Sequence, residues 1–100
     1  MALNYFTGST TGNFGSASNW TLGVVPSNNG DTIIFTSSSP TCSVAAIGTC
    51  SQIDFTAYNK TITFTQNLFV YGNTTLGPNM KTAGNSGLNI AATASLTSNG

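Results

Sequence analysis

The amino-acid sequence predicts an all-β chain: a short parallel β-helix or solenoid-like stack of coils with an N-terminal cap. Three observations lead there. The stretch NLFVYGNTTLGPN, from Asn67, lines up with GLNIAATASLTSN, from Gly87, at an offset of 20 residues. Leu68 then falls on Leu88, Val70 on Ile90, Thr75 on Ser95, Leu76 on Leu96 and Asn79 on Asn99. Residues 61–65, TITFT, alternate strictly, with Ile62 and Phe64 on one side of a strand and three threonines on the other. No window carries an apolar stripe at helical spacing. A coil this short cannot bury its own apolar face, so it needs neighbours above and below. The alternative is a β-sandwich in which two strands match by coincidence.

Taken in order, residues 1–36 are expected to form the cap or attachment region, and residues 37–100 the coils, continuing beyond Gly100 in a longer protein. Leu3, Tyr5 and Thr7 sketch a first strand, and Asn13–Gly15 reads as a turn. Trp20, the only tryptophan, precedes a turn at Gly23 and a Pro-Ser-Asn-Asn-Gly loop at Pro26–Gly30. It is expected to pack over the open end of the apolar stack. The competing use is an aromatic platform for a sugar ring, a role open also to Tyr5, Tyr58 and Tyr71. A strand at Thr32–Thr36 follows, then a loop at Ser37–Pro40 and strands near Cys42–Ala45 and Gln52–Phe55. Ala57–Lys60 turns around Tyr58. Leu68, Val70 and Leu76 continue the alternation, and Gly77-Pro78-Asn79 is a turn. Met80–Gly87 is a connector and Leu88–Leu96 a last coil. Residues 91–100 contain nothing that resembles a cap, so another subunit or further chain is expected to cover that end.

Cys42 and Cys50 are the only cysteines. Their spacing fits two strands joined by a turn at Ile47-Gly48. Such strands could carry a disulfide if the Cα atoms come within about 7 Å. Two buried thiols acting as small core residues fit equally well. A metal site is not expected, because two thiolates without histidine fall short of the four ligands zinc prefers.

The charges narrow the function. Only Asp31, Asp54, Lys60 and Lys81 are charged, and there is no His and no Glu. Nucleic acid is excluded as a partner, since phosphate binding needs clustered Lys and Arg. Anionic membranes are excluded on the same ground, and no apolar run approaches the roughly 20 residues that span a bilayer. The start lacks the basic and apolar regions of a signal peptide. Asp31 at a loop–strand junction and Asp54 between Ile53 and Phe55 read as structural, and a Ser or Cys nucleophile would lack a histidine base. No enzyme activity and no cofactor are expected. The Asn19, Asn59 and Asn73 sequons arise by chance in a Thr- and Asn-rich chain.

Several segments together carry a family likeness: NYFTG from Asn4, ASNW from Ala17, VVP at Val24–Pro26 and DTIIFT from Asp31. Cys42-Ser-Val with Cys50 leading into IDFTAY, then TITF, LFVYGNTTLG and ATASLTSNG, complete the set. Over its whole length the chain resembles the N-terminal part of tail-fibre or adhesin-like virion proteins of marine bacteriophages. Motifs of the W…VP…D-T-I-x-F kind also occur in autotransporter-type β-helical adhesins. The resemblance implies a β-solenoid, virion attachment at this end and a receptor-binding region further on. It implies other virion proteins as partners, self-association into a homo-oligomer (a trimer is the expected form) and location in the virion. A bacterial surface or secreted location is the alternative. It supplies no catalytic residues. In that group these segments open much longer proteins, from which one hundred residues is a departure. A carbohydrate-binding module for host surface glycans, or a small capsid or tail decorating subunit, are the alternative functions.

Overall fold

The computed structural model describes residues 3–8, 12–90 and 96–98. Alternating apolar and hydroxyl residues, broken every few positions by Gly, Asn or Pro, allow only short strands. These are β1 (Leu3–Tyr5), β2 (Thr32–Ile34), β3 (Cys42–Val44), β4 (Gly48–Cys50), β5 (Gln52–Asp54) and β6 (Thr61–Phe64). The series continues with β7 (Leu68–Val70), β8 (Thr74–Leu76), β9 (Lys81–Ala83), β10 (Leu88–Ile90) and β11 (Leu96–Ser98). A single 3-10 turn at Ala17–Asn19 is the only helical element among the described residues.

The chain is all-β, and its strands form three parallel sheets, ordered β1-β2-β5-β8-β11, β3-β6-β9 and β4-β7-β10. From β2 onward each paired strand meets the one three places later. No pair of these strands is antiparallel, the pairing that a hairpin-built sandwich requires. Parallel neighbours need a long connection. Here the connection is the chain itself, which visits the other two sheets before returning.

The return distance sets the register. Ile33 pairs with Ile53, Cys42 with Ile62, Leu68 with Leu88 and Val70 with Ile90, each 20 residues on. From β5 onward the five-stranded sheet departs from this: Ile53 pairs with Thr74, and Thr74 with Leu96. The expected matches of Thr75 with Ser95 and Leu76 with Leu96 are therefore corrected by two positions. The reason is a count: five residues separate Ile90 from Leu96, against three between Val70 and Thr74. A shift of two keeps each residue on its face, where a shift of one would reverse it. The Asn79–Asn99 match lies outside the described residues.

Inward side chains form columns along the ladders. Phe6, Phe35 and Phe55 follow β1, β2 and β5; the first two rings stack at a centroid spacing of 5.1 Å and the next pair packs tilted at 4.8 Å. That is close to the spacing of hydrogen-bonded strands, about 4.8 Å. Val44 over Phe64, Cys50 over Val70 and Ile33 over Ile53 complete the core. Thr74 sits below Ile53, and its buried hydroxyl has no partner among the described residues.

The N-terminal end is built differently. Residues 19–21 run antiparallel along the free edge of β1: the Thr7 N–H donates to the Asn19 carbonyl (2.7 Å) and the Thr21 N–H to the Tyr5 carbonyl (3.0 Å). Buried Asn4 fixes this strip, accepting from the Leu22 N–H (3.0 Å) and donating to the Val24 carbonyl (3.2 Å). Residues 12–14 occupy the free edge of β3 in parallel, with Ser43 N–H donating to the Gly12 carbonyl (2.7 Å) and Phe14 N–H to the Ser43 carbonyl (2.9 Å). Two sheet edges are thus occupied at this end, the usual protection against edge-to-edge pairing.

At the corners one layer lies directly on the backbone of the layer before it. A Cβ at Gly77 would collide with the Phe55 carbonyl, and one at Gly84 (φ +101°) with that of Phe64. Gly77→Ala is expected to cost about 2–3 kcal/mol, as overpacking against backbone does. Gly87→Ala, with open space at the same atom, should cost under about 1 kcal/mol. Urea unfolding of the two variants reads the difference.

Candidate functional site

The aromatic residues separate into two pairs. Trp20 and Tyr58 are buried, at 3% and 0% exposure, while Tyr5 and Tyr71 keep 37% and 49% of their surface in solvent. Sugar stacking is therefore corrected for the first pair, whose ring faces are taken. Trp20 meets Phe6 and Phe14 edge-on at 5.1 Å and Phe35 at 5.8 Å, and its indole N–H donates to the Phe14 carbonyl (2.9 Å). It lies over the first rings of the phenylalanine column. Tyr58 turns inward because the Tyr58 N–H closes a tight turn onto the Phe55 carbonyl (3.0 Å). Its ring packs on Phe35 at 5.1 Å, and its single hydroxyl proton is shared between the carbonyls of Pro40 (2.8 Å) and Thr61 (3.1 Å). Burial, with Cys42 adding in the same direction, holds the phenol well above its usual range; a backbone hydrogen bond at Cys42 opposes them.

The exposed pair does not converge. Tyr5 points outward from β1, in register with Ile34, which is in turn in register with Asp54. Tyr71 follows β7 in a different sheet, and its N–H donates to the Cys50 carbonyl (3.0 Å). Asp54 faces outward as its neighbours require, but its carboxylate is committed to the following turn, accepting from the Thr56 N–H (2.8 Å) and hydroxyl (2.6 Å). Asp31 sits at the entry to β2, where its carbonyl accepts from the Gln52 N–H (3.3 Å). Among the described residues no three His, Cys, Asp or Glu side chains come together, and no helix is long and apolar enough to cross a membrane. A surface depression of about 290 Å³ lies between Phe64, Thr82, Gly84 and Leu88, and its walls carry no ionisable group.

The cysteines are free and buried, which corrects the disulfide. Residues 45–47 do not fold β4 back onto β3. They turn the chain a corner into another sheet, so Cys42 stacks over Ile62 and Cys50 over Val70. Desolvation pushes both thiols up to about 12, which leaves them neutral and poorly nucleophilic at physiological pH.

Comparison with protein-family models, with curated proteins and with solved structures gives no match.

The thiols make stability depend on alkaline pH. Below the ordinary thiol value of 9.0 both states are protonated and full stability is present. Above it the unfolded chain releases two protons that the folded chain holds until about 12, so stability falls with rising pH. Denaturant unfolding at about pH 8 and about pH 10 should show a loss on the order of 3 kcal/mol. A Cys42→Ala/Cys50→Ala variant, less stable at both values, should lose much less between them.

Proposed function

We propose that this chain is a segment of β-solenoid in a structural bacteriophage virion protein of tail-fibre or adhesin-like type, where it anchors a fibre or forms part of its shaft. One observation carries the reading: parallel strands recur every 20–22 residues and pair in succession along three sheets. Such a stack extends in one direction by adding coils, and each coil contacts only its neighbours. A rod of this kind needs no pocket and no titrating side chain. It also suits a surface of hydroxyls and amides with four charges. The resemblance of NYFTG, DTIIFT and LFVYGNTTLG to phage fibre proteins supplies the biological setting. In this reading residues 1–36 cap and attach, residues 37–100 form coils, and the partners are other virion proteins and further copies of the chain.

The test is mass spectrometry of density-purified particles from the source culture. Chymotrypsin suits the chain better than trypsin, which has only Lys60 and Lys81 to cut. Peptides of this chain should co-band with particles in fixed ratio to the major virion proteins. Recovery only from the soluble cell fraction overturns the proposal.

Glycan binding is the second reading, and the exposure of Tyr5 and Tyr71 favours it. An exposed ring flanked by amides and hydroxyls can stack on a pyranose. On a glycan array the wild type should then give a signal that Tyr5→Ala or Tyr71→Ala abolishes while circular dichroism stays unchanged. A blank array removes this reading and leaves the first standing.

A further inference from the structure

The loop that leads into β2 holds a reactive pair that neither functional reading uses. Asn29 is exposed and is followed by Gly30, which has φ +88° and open space where a side chain would stand. The Asn29 side-chain carbonyl accepts a hydrogen bond from the Asp31 N–H (3.1 Å), which polarises its carbon toward attack. The adjacent nucleophile, the Gly30 nitrogen, is held elsewhere. Its N–H donates to the Ser51 hydroxyl oxygen at 2.7 Å, and that hydroxyl donates to the Asn28 side-chain carbonyl at 2.9 Å. Ser51 is itself buried at 7% exposure, directly before β5.

We infer that Asn29–Gly30 is a deamidation site that Ser51 keeps latent. In the reaction the Gly30 nitrogen, its proton passed to hydroxide, attacks Cγ of Asn29. A C–N bond forms, the bond to Nδ2 breaks, and ammonia leaves with a proton from water. Water then opens the cyclic imide at either carbonyl, giving aspartate or isoaspartate at position 29. The net change is one water consumed and one ammonia released. The imide nitrogen carries no hydrogen, so the bond from Gly30 to Ser51 must be lost on the way to it. The folded loop opposes the reaction by the strength of that bond, and the unfolded chain does not.

The product matters to the stack. One carboxylate moves the formal net charge from 0 to −1 on a chain with only two Asp. Isoaspartate also adds a backbone methylene ahead of Gly30, which moves Gly30 off Ser51. It disturbs the next tie as well, the Gln52 N–H to the Asp31 carbonyl at 3.3 Å. Both bonds fasten this loop to the coil after it.

The experiment follows Asn29 in the full chain by peptide mapping and isoaspartate labelling during incubation at mildly alkaline pH, folded and in urea. Wild type and Ser51→Ala should react at the same rate in urea. Folded wild type should be slower than in urea, and folded Ser51→Ala about fivefold faster than folded wild type, the rate equivalent of one net hydrogen bond. Equal folded rates for the two proteins overturn the inference. If Ser51→Ala fails to fold by circular dichroism, wild type alone decides: a folded rate equal to its rate in urea overturns the lock, and a slower one upholds it.

Discussion

The structure depends on one constraint: each inward side chain must fit on the one a strand spacing below it. Phe6, Phe35 and Phe55 meet it best, because their rings pack face to face or slightly tilted at nearly the separation that backbone hydrogen bonds impose. The backbone ladder and the ring column therefore reinforce one another. The N-terminal end follows from the same constraint: Trp20, backed by Phe14, packs on the rings, and the strips at residues 12–14 and 19–21 occupy the edges of β3 and β1.

Where the sequence was legible, the signal was repetition or alternation. Ile62 and Phe64 face inward as TITFT requires, and Leu68 and Val70 pair with Leu88 and Ile90 as their spacing does. Asp54 faces outward because Ile53 and Phe55 do not. What was illegible has physical causes. β4 is Gly-Thr-Cys, too short and too weak in β propensity to stand out between a turn and Ser51. The eight-residue gap between the cysteines fits a hairpin and a corner equally, and only the sheet assignment separates them. Tyr58 sits in a turn, where exposure is the ordinary expectation, yet two carbonyls and the ring column draw it inward.

The candidate site shows the same division. Residue types fixed which side chains could do chemistry, but their neighbours fixed whether they are free to. Trp20 and Tyr58 serve the core, both thiols are desolvated and the Asp54 carboxylate is bound to its own turn. What the exterior offers is hydroxyls, amides, the rings of Tyr5 and Tyr71, and exposed aliphatic side chains at Leu3, Leu22, Val24, Val25 and Ile47.

The near-uniform return distance bears on how such a chain acquires its structure. From β2 onward paired strands lie 20–22 residues apart, and β1, where Leu3 meets Thr32, lies only 29 from its partner. Going from 20 to 29 residues raises the closure entropy by only about 0.3 kcal/mol. Chain connectivity therefore gives neither end a head start in folding. The aromatic side chains gathered at Phe35, Phe55 and Tyr58 make that part of the core the expected starting point for collapse.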